Sequence, residues 1–147
     1  MESSKEQKNG EIEALPLFGY ELMRDILLPE ILGKHTTDIL YWGGKGIARK
    51  FPLISFEEME AFFLEAGWGN LSITEDKKDE RIYTLSGPLI ERRLSLKTDI
   101  SFKMEAGFLA EQVQNQKKAI TEAAEEIHKR SKTVKIIVRS DLKDTIE

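Results

Sequence analysis

Apolar positions along the chain fall into a few clean periods and several breaks. Between Leu17 and Leu32 the residues Phe18, Leu22, Ile26, Leu27, Leu28, Ile31 and Leu32 recur at helical spacing. Pro29 interrupts them, and the residue before a proline disfavours the α region, so a short helix is predicted to stop there. Gly33 breaks the chain. A second helix is predicted over His35–Pro52, with Thr36, Thr37 or Asp38 able to cap it. This helix carries Gly43, Gly44 and Gly46 in its interior, each costing roughly 1 kcal/mol relative to Ala. On a helical wheel Ile39, Leu40, the three glycines, Ile47 and Phe51 share one arc, whereas Asp38, Lys45 and Arg49 lie opposite with Trp42 at their edge. The glycines are therefore expected to face inward against the 102–113 helix.

Ser55-Phe56-Glu57-Glu58 has the form of a capping box, in which Ser55 accepts from the N3 amide and Glu58 reaches back to the Ser55 N–H. Met59, Phe62 and Phe63 form the stripe of the helix that follows, and Gly67 stands where a left-handed residue closes it. Trp68, Leu71 and Ile73 open a strand, the charged run 75–80 forms a hairpin tip, and Arg81–Leu85 returns. Leu89 to Thr98 has no clean period and reads as a loop with some strand character. From Asp99 another capped helix is expected, apolar on two faces: Phe102, Ala106, Leu109 and Val113 on one, Met104 and Phe108 on the other. Ala119–Arg130 has helical propensity, while Thr133–Arg139 alternates and is β-branched, the clearest strand in the chain.

Composition narrows the function classes. The chain has 147 residues, 40% of them hydrophobic, which suits one domain with a sizeable core over 15–147. Residues 1–14 are polar and read as a disordered lead-in; without an apolar h-region they form no signal peptide. A net charge of -4 argues against a general nucleic-acid binder. With no cysteine, disulfides and thiolate metal sites are excluded. No apolar run approaches the ~18–20 residues that span a bilayer, so no membrane insertion is expected and a cytoplasmic protein is the default.

Catalytic signals are weak. His35 and His128 lie far apart in polar surroundings and read as solvated, so no metal site is assigned. Trp42–Gly46 lacks the spacing and the Ser or Thr of a phosphate-binding loop. Arg92-Arg93 and Lys129–Lys132 read as solvated loop charges. The face formed by Tyr41, Trp42, Lys45 and Arg49 is a candidate interface, set against the simpler reading of a cation–π contact between Trp42 and Arg49. No constellation supplies a base, nucleophile, cofactor or metal, so no enzymatic activity and no cofactor are expected.

Several landmarks carry a family likeness. The glycine helix Ile39–Gly46, the Gly67-Trp68-Gly69 opening of the hairpin, the helix containing Glu105–Gln112 and a last strand closing at Ser140-Asp141 together resemble the YslB-like family of uncharacterised Firmicutes proteins. That family is similar to the 4-vinyl-reductase small-molecule-binding domains and to TRAPP vesicle-tethering subunits. The resemblance, covering roughly residue 15 onward, implies an α+β fold with helices packed on one side of an antiparallel sheet of about four strands. It also implies that 120–130 is a strand pairing with 133–139 across Ser131-Lys132, and this hairpin is preferred over the helix. Metal- or lipid-linked members of the superfamily use cysteines, which are absent here. What the resemblance implies for function is a binding module that holds a small apolar ligand or a protein partner, as a homodimer through its helical face. The candidate pocket or packing residues are Ile39, Gly43, Gly44, Gly46, Ile47, Phe102, Phe108 and Leu109. The alternative is a scaffold or assembly subunit with a filled core.

Overall fold

The computed structural model describes residues 16–96 and 99–146, apart from the side chain of Asp144. The lead-in expected over 1–14 lies outside the described residues. Helices lie on one face of a four-stranded antiparallel sheet of order β1-β2-β4-β3, with β1 Asn70–Asp76, β2 Glu80–Ser86, β3 Ala119–His128 and β4 Thr133–Thr145.

The helix expected to stop before Pro29 continues through it. This first helix, α1, is α-helical over Leu17–Glu21, π-helical over Leu22–Leu27 and α-helical again over Leu28–Leu32. The Leu28 N–H donates to the Met23 carbonyl, five residues back. That wide turn keeps the proline ring clear of the carbonyl four residues before it, the clash that ordinarily breaks a helix. Next come a 3₁₀ turn, Gly33–His35, and the glycine helix α2, Thr36–Lys50. No side chain caps α2; the Thr36 hydroxyl donates to the Gly33 carbonyl instead.

Helix α3, Phe56–Glu65, begins at the capping box: Ser55 Oγ accepts from the Glu58 N–H at 3.2 Å. Glu58 reaches one residue further back than expected, to the Ile54 N–H. Gly67, at φ 73°, closes the helix with the Trp68 N–H bonded to the Phe63 carbonyl. The segment read as a loop contains a helix, α4, Pro88–Leu94. Pro88 occupies its first turn, and its inward positions are Ile90 and Arg93. An arginine at a buried position hid the helical period.

The long helix α5, Lys103–Lys117, starts four residues later than expected and has no side-chain cap. It lies between α2 and the sheet, and every residue from Glu105 to Val113 is buried. Between Ala119 and His128 the chain is a strand, despite its helical propensity. Ala119 and Thr121 point to the core while Ile120 and Glu122 point out, and Glu126 stands opposite Lys135 on β4. Pairing with β4 and cross-strand charge override propensity here.

The core joins Met59, Phe63, Trp68, Leu71, Tyr83, Phe102, Phe108, Leu109 and the inward residues of β4. Phe62 stacks on Phe108 at 4.6 Å, and Trp68 meets Phe63 edge-on at 5.1 Å. No helix among the described residues is long and apolar enough to cross a membrane.

Candidate functional site

Helix α2 meets α5 backbone to backbone. A Cβ on Gly44 would collide with the Met104 carbonyl oxygen, and one on Gly107 with the Tyr41 carbonyl oxygen. Gly43 and Gly46, expected beside Gly44, have nothing within 4 Å of a notional Cβ and take no part in the contact. The sequence pattern missed Gly107 as the reciprocal glycine. Phe102, Phe108 and Leu109 are fully buried core residues, Ile47 is half-buried and Ile39 is exposed. None of these residues lines the cleft described below, and at Gly44 the backbones of α2 and α5 meet directly.

The outward face of α2 also differs from expectation. Lys45 is buried, because the edge of β3 packs on that side of the helix. Its Nζ lies 4.9 Å from the Tyr41 ring centre, 4.8 Å from that of Trp42 and 3.3 Å from Glu122 Oε1. Trp42 is exposed, and its cation is Lys45 rather than Arg49; Arg49 Nε donates to Glu111 Oε2 at 3.3 Å. The Tyr41 hydroxyl donates to Glu122 Oε2 at 2.5 Å and accepts the Ala123 N–H at 3.0 Å. Burial and the Glu122 carboxylate hold that phenol well above its ordinary pKa.

Of the charges read as solvated, Arg92 and Lys129–Lys132 are exposed, but Arg93 is buried in an ionic cluster. Arg93 holds Asp25 with two parallel bonds, Nη2 to Oδ1 at 2.7 Å and Nε to Oδ2 at 3.1 Å. Glu105 is shared: Oε1 accepts from Arg24 Nη2 at 2.5 Å and Oε2 from Arg93 Nη1 at 3.4 Å. The Tyr20 hydroxyl and the Ser101 carbonyl accept further guanidinium bonds, and Arg93 lies 4.3 Å over the Phe102 ring. Burial alone would lower the pKa of Arg24, but Glu105 and Tyr20 outweigh it and hold the guanidinium charged. At the outer end Arg92 donates to Glu21 Oε2 at 2.8 Å; the other Glu21 oxygen is buried and has no partner among the described residues.

The π-helical stretch makes this cluster by turning α1 inside out. Glu21, Arg24 and Asp25 are 1%, 5% and 4% exposed, whereas Phe18, Met23 and Ile31 are 59%, 59% and 67% exposed. Leu22, Ile26 and Leu27 are exposed beside them. A polar face inward and an apolar face outward reverses the ordinary amphipathic helix.

Next to the cluster a cleft of about 290 Å³ opens between α1, the Gly33–His35 turn, the start of α2, the 99–101 loop and β3. Its polar lining includes Arg24, Asp25, Lys34, Thr37, Asp99 and Glu125, and its apolar lining Pro29, Leu40 and Ile100. Burial raises the pKa of Glu125, although its Oε2 accepts the Phe102 N–H at 2.6 Å. His35 is exposed, His128 Nε2 lies 2.6 Å from Glu126 Oε1, and no group of three His, Asp or Glu among the described residues could hold a metal ion.

Residues 17–139 match the family model described as "Protein of unknown function (DUF2507)". The chain belongs to this family. A relative in the same set of similar proteins, "Uncharacterized protein YslB" of Bacillus subtilis (strain 168), is 46% identical over 129 residues, 88% of this chain and 87% of that protein. Among solved structures, a vinyl-4-reductase family protein from Methanocaldococcus jannaschii superposes with a TM-score of 0.63 at 20% identity, over 91% of this chain and 89% of the other. The expected fold is the one found, and the likeness supports the vinyl-4-reductase-like α+β description. The expectation that the chain is not an enzyme is overturned by this neighbour, whose family is named for a reductase activity.

Proposed function

We propose that the chain is a binding module whose partner is a second copy, joined through the outer face of α1. One observation carries this reading: Phe18, Leu22, Met23, Ile26, Leu27 and Ile31 stand exposed on one helix whose inner face is charged. Contiguous apolar surface on that scale marks an interaction site. A single helix face related to itself by a two-fold axis is self-complementary, the commonest geometry of soluble oligomers. Between the two occupants expected for a binding module, a protein partner is favoured over an apolar ligand, because Gly44 and Gly107 bring α2 directly onto α5.

Sedimentation velocity on the full chain tests the proposal. The wild-type protein should sediment as a dimer at micromolar concentration, and Ile26→Glu with Ile31→Glu should give a monomer with unchanged far-UV circular dichroism. A wild-type monomer, or a double variant that remains a dimer, would overturn it.

A further inference from the structure

The charges around the cleft beside α1 do not all close on one another. Arg24 and Arg93 are balanced by Asp25 and Glu105, and Arg92 by Glu21. Three lining charges are left without an ion pair among the described residues: Lys34 in the Gly33–His35 turn, Asp99 in the 99–101 loop and Glu125 on β3. Arg24, its side chain only 4% exposed, also lines the cleft, and its Nε–H donates to none of the described residues. Thr37 adds a hydroxyl beside Lys34. The opening thus carries unpaired donors and unpaired carboxylates together, with Leu40, Ile100 and Pro29 among them.

We propose that this cleft binds a small zwitterion of amino-acid size, its carboxylate toward Arg24, Lys34 and Thr37 and its ammonium toward Glu125 and Asp99. A cavity of about 290 Å³ stands at the small end of ligand sites. A monoanion would satisfy Arg24, Lys34 and Thr37 but leave Asp99 and Glu125 uncompensated, and a simple amine would do the reverse. Only a ligand with both charges meets both sets of groups. Glu125 gains most, since burial disfavours its charge and a bound ammonium restores a partner. This site is separate from the outer face of α1 and does not depend on the dimer.

Saturation-transfer NMR on the full chain with a panel of the free proteinogenic amino acids, followed by titration calorimetry on any that bind, tests the proposal. For a binder, the N-acetyl derivative removes the ammonium and the C-terminal amide removes the carboxylate; each should weaken binding by about tenfold or more, as expected for loss of a charged hydrogen bond. Lys34→Ala and Glu125→Gln should weaken the parent amino acid similarly. Gly43→Ala, on open surface, should leave it unchanged. The derivatives need no altered protein, so a misfolded variant cannot mask the answer. The proposal is overturned if no amino acid binds at millimolar concentration, or if either derivative binds as well as its parent.

Discussion

Helices α1 and α2 both rest on α5, and they do so by opposite means. At the α2 contact Gly44 and Gly107 let carbonyl groups and α-carbons meet directly, with no side chain between them at that point. At the α1 contact the gap is filled by Arg24, Arg93, Asp25 and Glu105, charges removed from water and closed on one another. A glycine contact is unforgiving in volume but indifferent to charge. A buried ionic contact tolerates modest changes of shape but not the loss of one member, because the remaining charge is left without compensation. The first kind fixes a distance; the second fixes a partner and a register. Helix α1 is thereby held by its charged side while its apolar side stands exposed.

Removing the shared carboxylate should break the ionic contact most severely. Glu105→Leu is expected to lower the unfolding free energy by about 3–5 kcal/mol, read from urea denaturation with the slope unchanged. An effect below about 1 kcal/mol would mean that the cluster is hydrated and the contrast with α2 is false. Next in size, Gly107→Ala should destabilise by about 1–3 kcal/mol, since the methyl meets the Tyr41 carbonyl and two long helices must separate. Gly43→Ala, one residue from the true contact, should instead stabilise by roughly 0.5–1 kcal/mol through helix propensity; a loss there would place Gly43 in the contact after all.

The smallest change concerns Glu125. Its folded pKa is raised by burial, so its ionisation opposes folding: the penalty is absent below the unfolded carboxyl pKa and develops as pH rises through the folded value. Glu125→Gln keeps an oxygen for the Phe102 N–H and should raise the melting temperature slightly at neutral pH. It should do nothing under acid conditions, where the wild-type carboxyl is already neutral. A variant equally stabilised at both would locate the effect elsewhere.

Where local chemistry decides structure, the sequence was readable. Ser55 and Glu58 start α3, Gly67 ends it, and the run opened by Trp68, Leu71 and Ile73, its return over Arg81–Leu85 and the alternation in 133–139 mark strands that the sheet contains. Local patterns failed where a side chain belongs to something distant. Arg93 sits at a core position of α4 because Asp25 and Glu105, remote in sequence, neutralise it; taken by itself, Arg92-Arg93 looks like surface. Pro29 looks like a terminator because nothing local announces a π turn ahead of it. The apolar period of α1 was visible, but periodicity does not say which side is inside. At α2 the glycines were legible as a packing signal, yet only Gly44 meets α5, and its counterpart Gly107 sits in a run where a single glycine attracts no notice. The cleft residues come from α1, the α2 start, the 99–101 loop and β3, and no spacing in the chain links them.

The Tyr41 hydroxyl has a further effect on how copies of this protein can meet. Strand β3 ends the sheet, and a free strand edge is a template on which another chain can grow. Here the outward N–H of Ala123 is taken by Tyr41 and that of Thr121 by Gln114 Oε1, so two successive rungs of the ladder are occupied by side chains. At the opposite edge, β1 carries a bulge between Ile73 and Glu75. Both borders of the sheet are blunted against strand addition, which closes the sheet edges to open-ended stacking of copies.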